Sequence, residues 1–284
     1  MTLLQLRAGR LGVDLAPQSG GSIARFTVDD FDILRPMAAA DVASGRGNNS
    51  ACYPLVPFSN RIRDGRVAFD GREFTLAANW PGQRHPMHGD GWAAAWEVVR
   101  ADERSARISY LHEGPRGWPF RYRASFAFRL SASELAVDMT LENLEAHAVP
   151  GGIGLHPFFV RDPDTTLTCR TDSVWREDAE LLPTERVALP PEWDFSAPRR
   201  VDTVPLDNCF DGWDGHATIV WPQRRLRLHL EATEPFRHLV IYTPPQRPFF
   251  CVEPVSHANG AIAETRLASG ATLSGTVVFK IMKL

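Results

Sequence analysis

The sequence predicts an all-β protein, a large antiparallel β-sandwich with few short helices. Apolar and polar side chains alternate with a period of two along much of the chain. The 22 prolines and 21 glycines are spread over 284 residues, and both residue types interrupt helices. No stretch has the composition of an interdomain linker, and a chain of this length can bury a large core without cross-links. We therefore expect residues 1–284 to form one domain.

Four segments carry the strand pattern most clearly. In "RYRASFAFRL" (121–130) and "ELAVDMTLE" (134–142) apolar residues occupy alternate positions, and the three residues between them predict a hairpin. The segment "RRLRLHLEA" (224–232) alternates leucine with arginine, histidine and glutamate. The C-terminal "ATLSGTVVFKIMKL" alternates as well, so the chain is predicted to end in a strand.

Turn and loop signals complete the prediction. The segment "RVAFDGREFTL" (66–76) predicts a hairpin, because its central Asp-Gly tolerates the positive φ angles of a type I′ turn. One short helix is expected near residues 39–45. The proline-rich stretches 183–205 and 244–254 are predicted to be long surface connections.

Composition and charge exclude several classes of function. The net charge of −3 and the pI near 6.3 offer no basic excess for nucleic-acid binding. The N-terminal residues are too polar for a signal peptide, and no run of 18 apolar residues predicts a membrane span. The four cysteines form no C-x-x-C pair. We therefore expect a cytoplasmic protein with reduced thiols and no membrane partner.

Two loop-like stretches contain candidate binding residues. In "PFSNRIRDG" Arg61 follows Asn60, and a guanidinium group offers a fixed fork of donors to hydroxyls or a carboxylate, although a surface arginine is the simpler alternative. The stretch "NWPGQRHPMHGDGW" combines Trp80 and Trp92 with His85 and His88. An indole ring stacks on the apolar face of a sugar. No third ligand suits a metal site here, and the proline between the histidines argues against a helix.

Two further stretches place ionisable groups among apolar residues. His156 lies in "GGIGLHPFF", where it is either a core histidine with satisfied nitrogens or a functional group. Glu253 follows the apolar strand Phe249–Val252, which Pro254 is expected to end. This carboxylate lies either at the solvated end of the strand or in a site where desolvation raises its pKa toward the range of a general base.

Together these stretches resemble the aldose 1-epimerase (galactose mutarotase) family, in order and rough spacing over about residues 20–280. The residues that carry the resemblance are Asn60-Arg61-Ile62 before "GRVAFDG", Asn79, His88-Gly89, His156 before Phe158 and Phe159, Asp207 with Phe210, and Glu253 before "HANGA". The sequence "HPFFV" around His156 differs from the usual family pattern and indicates a divergent branch.

The resemblance implies a galactose mutarotase-like supersandwich that interconverts the α and β anomers of a free aldose. It implies no cofactor and no metal. His156 is implied as the acid at the ring oxygen and Glu253 as the base at the C1 hydroxyl. We therefore expect these two groups on opposite sides of the reacting centre, facing each other across one sugar-sized hollow.

The same resemblance implies how the sugar is held. Arg61 and His88, with Asn60, would orient the sugar and stabilise charge on its ring oxygen. Asp207 would bind distal hydroxyls, and Trp80 or Trp92 would offer a stacking face. The expected partner is a small-molecule sugar, bound by a monomer or homodimer.

Two alternatives remain open from the sequence. The first is an epimerase of an anionic sugar, such as a hexose 6-phosphate or a sulfonated aldose, held by Arg63, Arg66 and Arg84. The second is a non-catalytic sugar-binding module, which needs the aromatic and arginine contacts but not the acid–base pair.

Overall fold

The computed structural model describes residues 2–115 and 117–284, and it is built from antiparallel strands. In chain order the strands are β1 (Leu4–Ala8), β2 (Leu11–Ala16), β3 (Ser22–Val28), β4 (Phe31–Asp32), β5 (Cys52–Leu55), β6 (Arg66–Phe69), β7 (Arg72–Thr75), β8 (Glu97–Ala101), β9 (Ser105–His112), β10 (Tyr122–Leu130), β11 (Glu134–Asn143), β12 (Gly154–Val160), β13 (Thr166–Cys169), β14 (Ser173–Glu177), β15 (Pro183–Ala188), β16 (Arg199–Arg200), β17 (Asp207–Asp211), β18 (His216–Trp221), β19 (Leu226–Ala232), β20 (His238–Tyr242), β21 (Phe249–Val255) and β22 (Thr272–Lys283). The helical segments are the α-helix α1 (Ala39–Ser44) and the 3₁₀ turns Arg63–Gly65, Gly91–Ala93, Pro191–Trp193, Pro222–Arg224 and Ile262–Glu264.

The strands form two large sheets and one small hairpin. The first sheet has the order β1-β2-β3-β5-β12-β21-β20-β17-β14-β15, with β4 paired to β3. The second has the order β16-β13-β18-β19-β22-β11-β10-β9-β8, and β6 pairs with β7 alone. The prediction of an all-β protein with large antiparallel sheets and few short helices is confirmed. No helix among the described residues is long and apolar enough to cross a membrane.

The local predictions agree closely with the structure. β10 and β11 form the predicted hairpin, and α1 occupies the predicted short helix with Gly45 as its left-handed cap. Asp70 (φ 48°) and Gly71 (φ 73°) connect β6 to β7, which is the conformation of a type I′ turn. β19 begins two residues later than predicted, because Pro222–Arg224 form a 3₁₀ turn before it.

The proline-rich stretches were wrongly predicted to be surface connections alone. β15 and β16 lie within the first stretch, and β21 occupies most of the second. β21 continues through Pro254, which pairs with Leu239 of β20. The paired residues between β12 and β21 are interrupted where Pro157 and Pro254 lie, so neither missing N–H breaks a continuous ladder. Glu253 therefore lies inside a central strand and not at its end.

Aromatic side chains join the two sheets. Phe26 and Phe159 of the first sheet meet Phe279 of β22, with ring centroids 6.1 Å and 6.3 Å from that of Phe279. The alternation along β12 directs Leu155 and Phe159 into this core and His156 and Phe158 to the other face of the first sheet. A second apolar cluster, which includes Phe158, covers that other face.

We expect Phe279→Ala to lower the free energy of unfolding by about 3–5 kcal/mol, because it leaves a cavity between the sheets. Urea denaturation followed by tryptophan fluorescence measures this loss. Val99→Ala is the control, since Val99 is 53% exposed on β8 and its truncation should cost no more than about 0.5 kcal/mol. Equal losses in the two variants would contradict the assigned core.

Candidate active site

A cavity of about 280 Å³ opens on the face of the first sheet that points away from the inter-sheet core. All seven residues that the sequence suggested for catalysis or binding line it: Asn60, Arg61, Trp80, His88, His156, Asp207 and Glu253. The other lining residues are Arg35, Asn48, Asn49, Tyr53, Gln83, Met87, Phe158, Val240, Tyr242 and Phe249. This volume is just below the usual range of about 300–1,000 Å³ for small-molecule sites.

The strand register sets the floor of the cavity. β12 pairs with β21 so that Gly154 faces Val255 and Phe158 faces Cys251, and the same register sets His156 opposite Glu253. His156 Nε2 lies 3.2 Å from Glu253 Oε1. The two groups are therefore neighbours on one wall, and the expectation that they face each other across the sugar is wrong. Directly opposite residues on one face of an antiparallel pair have Cβ atoms about 4.5–5.5 Å apart, which allows such a contact.

Burial shifts the pKa values of this pair in opposite directions. Both side chains are almost fully buried. Burial, followed by the charge of Arg35, lowers the pKa of His156 to about 3. Burial, reinforced by Asp207, raises the pKa of Glu253 well above its usual range. The pair therefore holds one proton along its contact and carries no net charge. This differs from the imidazolium that the ordinary pKa of histidine suggests.

Rings hold the imidazole of His156 in place. Tyr53, its cross-strand partner on β5, stacks on it with a centroid distance of 4.6 Å. Phe158, two residues along β12, stacks on it at 4.5 Å. The Nδ1 atom is buried and has no hydrogen-bond partner among the described residues. The ring is thus positioned by packing and by its contact with Glu253.

His88 is a second histidine in the cavity, and its hydrogen bonds fix its tautomer. Its Nδ1 accepts a hydrogen bond from the backbone N–H of Asn60 at 3.1 Å. Burial, followed by the charges of His156 and Arg61, lowers the pKa of His88 well below its usual value. The neutral ring therefore carries its proton on Nε2 and can donate it to a ligand in the cavity.

Two strained backbone positions meet beside this histidine. Asn60 (φ 57°) and His88 (φ 63°) both adopt the left-handed conformation, and the His88 N–H donates to the Asn60 carbonyl at 3.0 Å. The Asn60 side-chain oxygen accepts from the N–H of Arg61 at 2.7 Å. Such strain persists only where the surrounding contacts enforce it, and it occurs often at functional sites. Asn60 therefore positions both His88 and Arg61.

Asn79 fastens the loop that carries His88. Its amide nitrogen donates to the carbonyls of Met87 (3.0 Å) and Gly89 (2.6 Å), and its oxygen accepts from the Met87 N–H (2.8 Å). These bonds hold the residues on both sides of His88. Gly89 follows with φ +68°, and a Cβ atom there would lie 1.8 Å from the carbonyl oxygen of Val56. Only glycine fits this position.

Arg61 and Asp207 form the polar side of the cavity. The Arg61 guanidinium lies 4.0 Å from the Asp207 carboxylate, which is a long ion pair. The Arg61 Nε has no hydrogen-bond partner among the described residues although it is buried. Burial raises the pKa of Asp207, and Arg61 opposes this shift. Both groups therefore keep hydrogen-bonding capacity for a ligand.

The two tryptophans have different positions. Trp80 is half-buried and lines the cavity. Trp92 is fully buried behind it, with ring centroids 4.7 Å apart, and its Nε1 donates to the Gly89 carbonyl. Trp92 therefore belongs to the core, and Trp80 is the indole available for stacking. His85 is also structural, since its Nδ1 accepts from the N–H of Asp64.

Three residues of the cavity wall were not predicted from the sequence, and the three arginines of the anionic-sugar alternative lie outside it. Arg35, Tyr53 and Tyr242 line the cavity, yet they lie outside the four stretches that carried the motif signals. All four residues of β5 are buried, so alternation gave no signal for the orientation of Tyr53. The candidate anion-binding group Arg63, Arg66 and Arg84 does not line the cavity.

Metal binding was not expected, and the donor chemistry disfavours it. His156, Cys251 and Glu253 have potential ligand atoms within 4.8 Å of one another. A metal site needs the thiol and the carboxyl group deprotonated. Burial raises the pKa of both Cys251 and Glu253 well above their usual values, so these groups hold their protons. The residues present therefore fit proton transfer better than metal coordination. All four cysteines are free and buried.

We expect Gly89→Ala to lower the free energy of unfolding by more than about 4 kcal/mol and to abolish ligand binding, because the added Cβ displaces the backbone beside His88. Gly71→Ala is a matched control with a similar φ of +73° and nothing within 4 Å of the added Cβ. It should cost about 1–2 kcal/mol for the left-handed conformation alone. Chemical denaturation measures both losses, and similar values would refute the close approach.

Comparisons with known proteins identify a family that matches this chain. Residues 2–280 match the family model described as aldose 1-epimerase. The uncharacterized protein YphB of Escherichia coli is 35% identical over 266 residues, which cover 91% of this chain and 89% of that protein. A crystal structure of a provisionally assigned aldose 1-epimerase from Escherichia coli has a TM-score of 0.93 and 32% identity, and it covers 100% of this chain and 99% of that one.

A more distant structure shows the same fold. A galactose mutarotase-like protein from Clostridium acetobutylicum has a TM-score of 0.88 at 19% identity, over 99% of this chain and 95% of that chain. The match of the family model over nearly the whole chain agrees with the order of motifs in the sequence. This chain belongs to the aldose 1-epimerase family.

Proposed function

We propose that this protein is a mutarotase that interconverts the α and β anomers of a free aldose, with His156 and Glu253 as its proton-transfer groups. The observation that carries the proposal is the 3.2 Å contact between His156 Nε2 and Glu253 Oε1 on the floor of a cavity suited to a small ligand. Membership of the aldose 1-epimerase family supports the reaction type.

The chemistry requires an acid and a base that are close together. The C1 hydroxyl loses a proton, the bond between C1 and the ring oxygen breaks, and the ring oxygen gains a proton. Rotation about the C1–C2 bond then presents the other face of the carbonyl, and closure reverses both transfers. The two oxygens are bonded to the same carbon, so neighbouring groups on one wall can reach both of them.

The number of protons that the pair holds suits this reaction. His156 and Glu253 hold one proton together, and mutarotation moves protons without consuming any. Transfer of the shared proton to His156 creates the acid and the base at the same moment. The lowered pKa of His156 makes its imidazolium a strong acid, and the raised pKa of Glu253 makes its carboxylate a strong base.

The surrounding residues are proposed to hold the sugar. The Nε2–H of His88 donates to the developing charge on the ring oxygen, together with the free donors of Arg61. Asp207, beside Arg61, accepts from hydroxyl groups farther from C1. Trp80 offers an apolar face for the ring carbons.

A non-catalytic sugar-binding module is the competing function. Such a module needs the aromatic and arginine contacts, but burying an acid–base pair costs free energy that binding alone does not require. The contact between His156 and Glu253 therefore favours the catalyst. The rate measurements below distinguish the two functions.

We expect Glu253→Gln and His156→Asn each to lower kcat for mutarotation about 10²–10⁴-fold, because each removes one positioned proton transfer. Polarimetry or anomeric NMR exchange of glucose and galactose, corrected for the uncatalysed rate, measures the effect. Glu103→Gln is the control, since Glu103 is exposed and lies outside the cavity.

Isothermal titration with the same sugars accompanies these rates. Unchanged kcat in Glu253→Gln would remove this carboxyl group from the mechanism. Tight sugar binding by the unsubstituted protein without any acceleration would support the binding module and refute the enzyme.

We expect the activity to persist far below the pH at which a free imidazole titrates. The active pair holds one proton, and the pKa of His156 is lowered to about 3, so a second proton is not taken up near pH 6.5. A profile of kcat/KM from pH 5 to 8 should therefore show no acidic limb centred at 6.5. A half-maximal value near that pH would contradict the neutral pair.

A further inference from the structure

One cation in the cavity wall, Arg35, has no acidic partner in the described part of the chain. Among residues 2–115 and 117–284, no carboxylate oxygen lies within 4.0 Å of the Arg35 guanidinium, whereas Arg61 faces Asp207 at that distance. One Arg35 nitrogen donates to the Ser50 carbonyl at 2.9 Å, and this is the only hydrogen bond of its side chain in the described part of the chain. Most of its donors are therefore uncommitted.

Aromatic rings fix the position of this guanidinium. Its central carbon lies 4.0 Å from the ring centroid of Phe158 and 4.8 Å from that of Phe249. Its backbone N–H donates to the Phe158 carbonyl at 2.7 Å, which ties Arg35 to β12. A half-buried cation held in this way is poorly compensated until a ligand brings negative charge to it.

Of the arginines that the sequence suggested for an anionic sugar, Arg63 and Arg84 have acidic partners, and Arg66 is exposed and lies outside the cavity. Arg63 pairs with Asp178 at 2.9 Å, and Arg84 pairs with Asp64 and Glu180 at 2.7 Å and 3.0 Å. These side chains are exposed and lie outside the cavity. Arg35 is therefore the arginine that combines a place in the cavity with a free charge.

The neighbours of Arg35 indicate which part of the sugar it meets. Phe158 contacts both the Arg35 guanidinium and the imidazole of His156, so Arg35 lies on the His156 side of the cavity. In the proposed mechanism His156 serves the ring oxygen. That oxygen is bonded to C5, which carries C6, so the substituent on C6 is the group nearest to Arg35.

We propose that Arg35 selects aldoses that carry an anionic group on C6, such as a carboxylate or a phosphate. The inference rests on the mutarotase function proposed above and names its substrate class. A guanidinium group binds such oxygens with two parallel, charge-assisted hydrogen bonds, which neutral hydroxyls cannot match. Arg61 keeps its proposed role at the ring oxygen, and Asp207 remains available for ring hydroxyls.

The test compares glucose, glucuronate and glucose 6-phosphate, which differ at C6. NMR exchange between anomers, corrected for the uncatalysed rate, gives kcat/KM for each sugar. We expect the unsubstituted protein to prefer at least one anionic sugar over glucose. In Arg35→Gln the ratio of kcat/KM for that anionic sugar to that for glucose should fall about 10- to 100-fold, mainly through KM.

Arg63→Gln is the matched control, because it removes the same charge from a position outside the cavity and should leave the ratio unchanged. Circular dichroism and thermal unfolding verify that each variant is folded. The preference between glucuronate and glucose 6-phosphate identifies the anionic group.

The two proposals fail in different ways. Acceleration of glucose without preference for either anionic sugar, or a ratio that Arg35→Gln leaves unchanged, would overturn the role of Arg35 and leave the mutarotase intact. No acceleration of any of the three sugars would overturn the mutarotase function itself.

Discussion

The register between β12 and β21 is the constraint on which the site depends. Two antiparallel central strands bring His156 and Glu253 opposite each other on one face, so their contact follows from backbone pairing and not from a mobile loop. A shift of either strand by one residue would direct its ionisable side chain to the inter-sheet core. The two prolines interrupt this ladder without breaking the sheet, and the neighbouring strands β5 and β20 keep the register in place.

Burial of this contact determines its chemistry. Because His156 and Glu253 are buried, they share one proton and do not form two separate charges. A reaction with no net change in protons needs this arrangement. The loop of His88 closes the site from the side. The hydrogen bonds of Asn79 and the left-handed backbone of Asn60 and His88 fix the neutral His88 ring next to the pair. The polar groups around the cavity are therefore organised before a sugar arrives.

Local structure was largely predictable from the sequence. The β6–β7 hairpin and the β10–β11 hairpin followed from turn residues and alternation, because these elements are stabilised by contacts within a few residues. The extent of β21 was not predictable, since a proline such as Pro254 normally ends a strand. The broken ladder that tolerates Pro254 is formed by β12, about 100 residues earlier in the chain.

By itself the sequence determined the all-β class, the order of the motifs and the identity of the ionisable residues set among apolar ones. It did not determine that His156 and Glu253 touch, that Trp92 lies behind Trp80, or that Arg35 and not Arg63 borders the cavity. Alternation tells which residues share a face of one strand, but only the order of strands in the sheet decides which faces meet. For that reason the tertiary structure alone decided how the acid, the base and the unpaired cation are arranged.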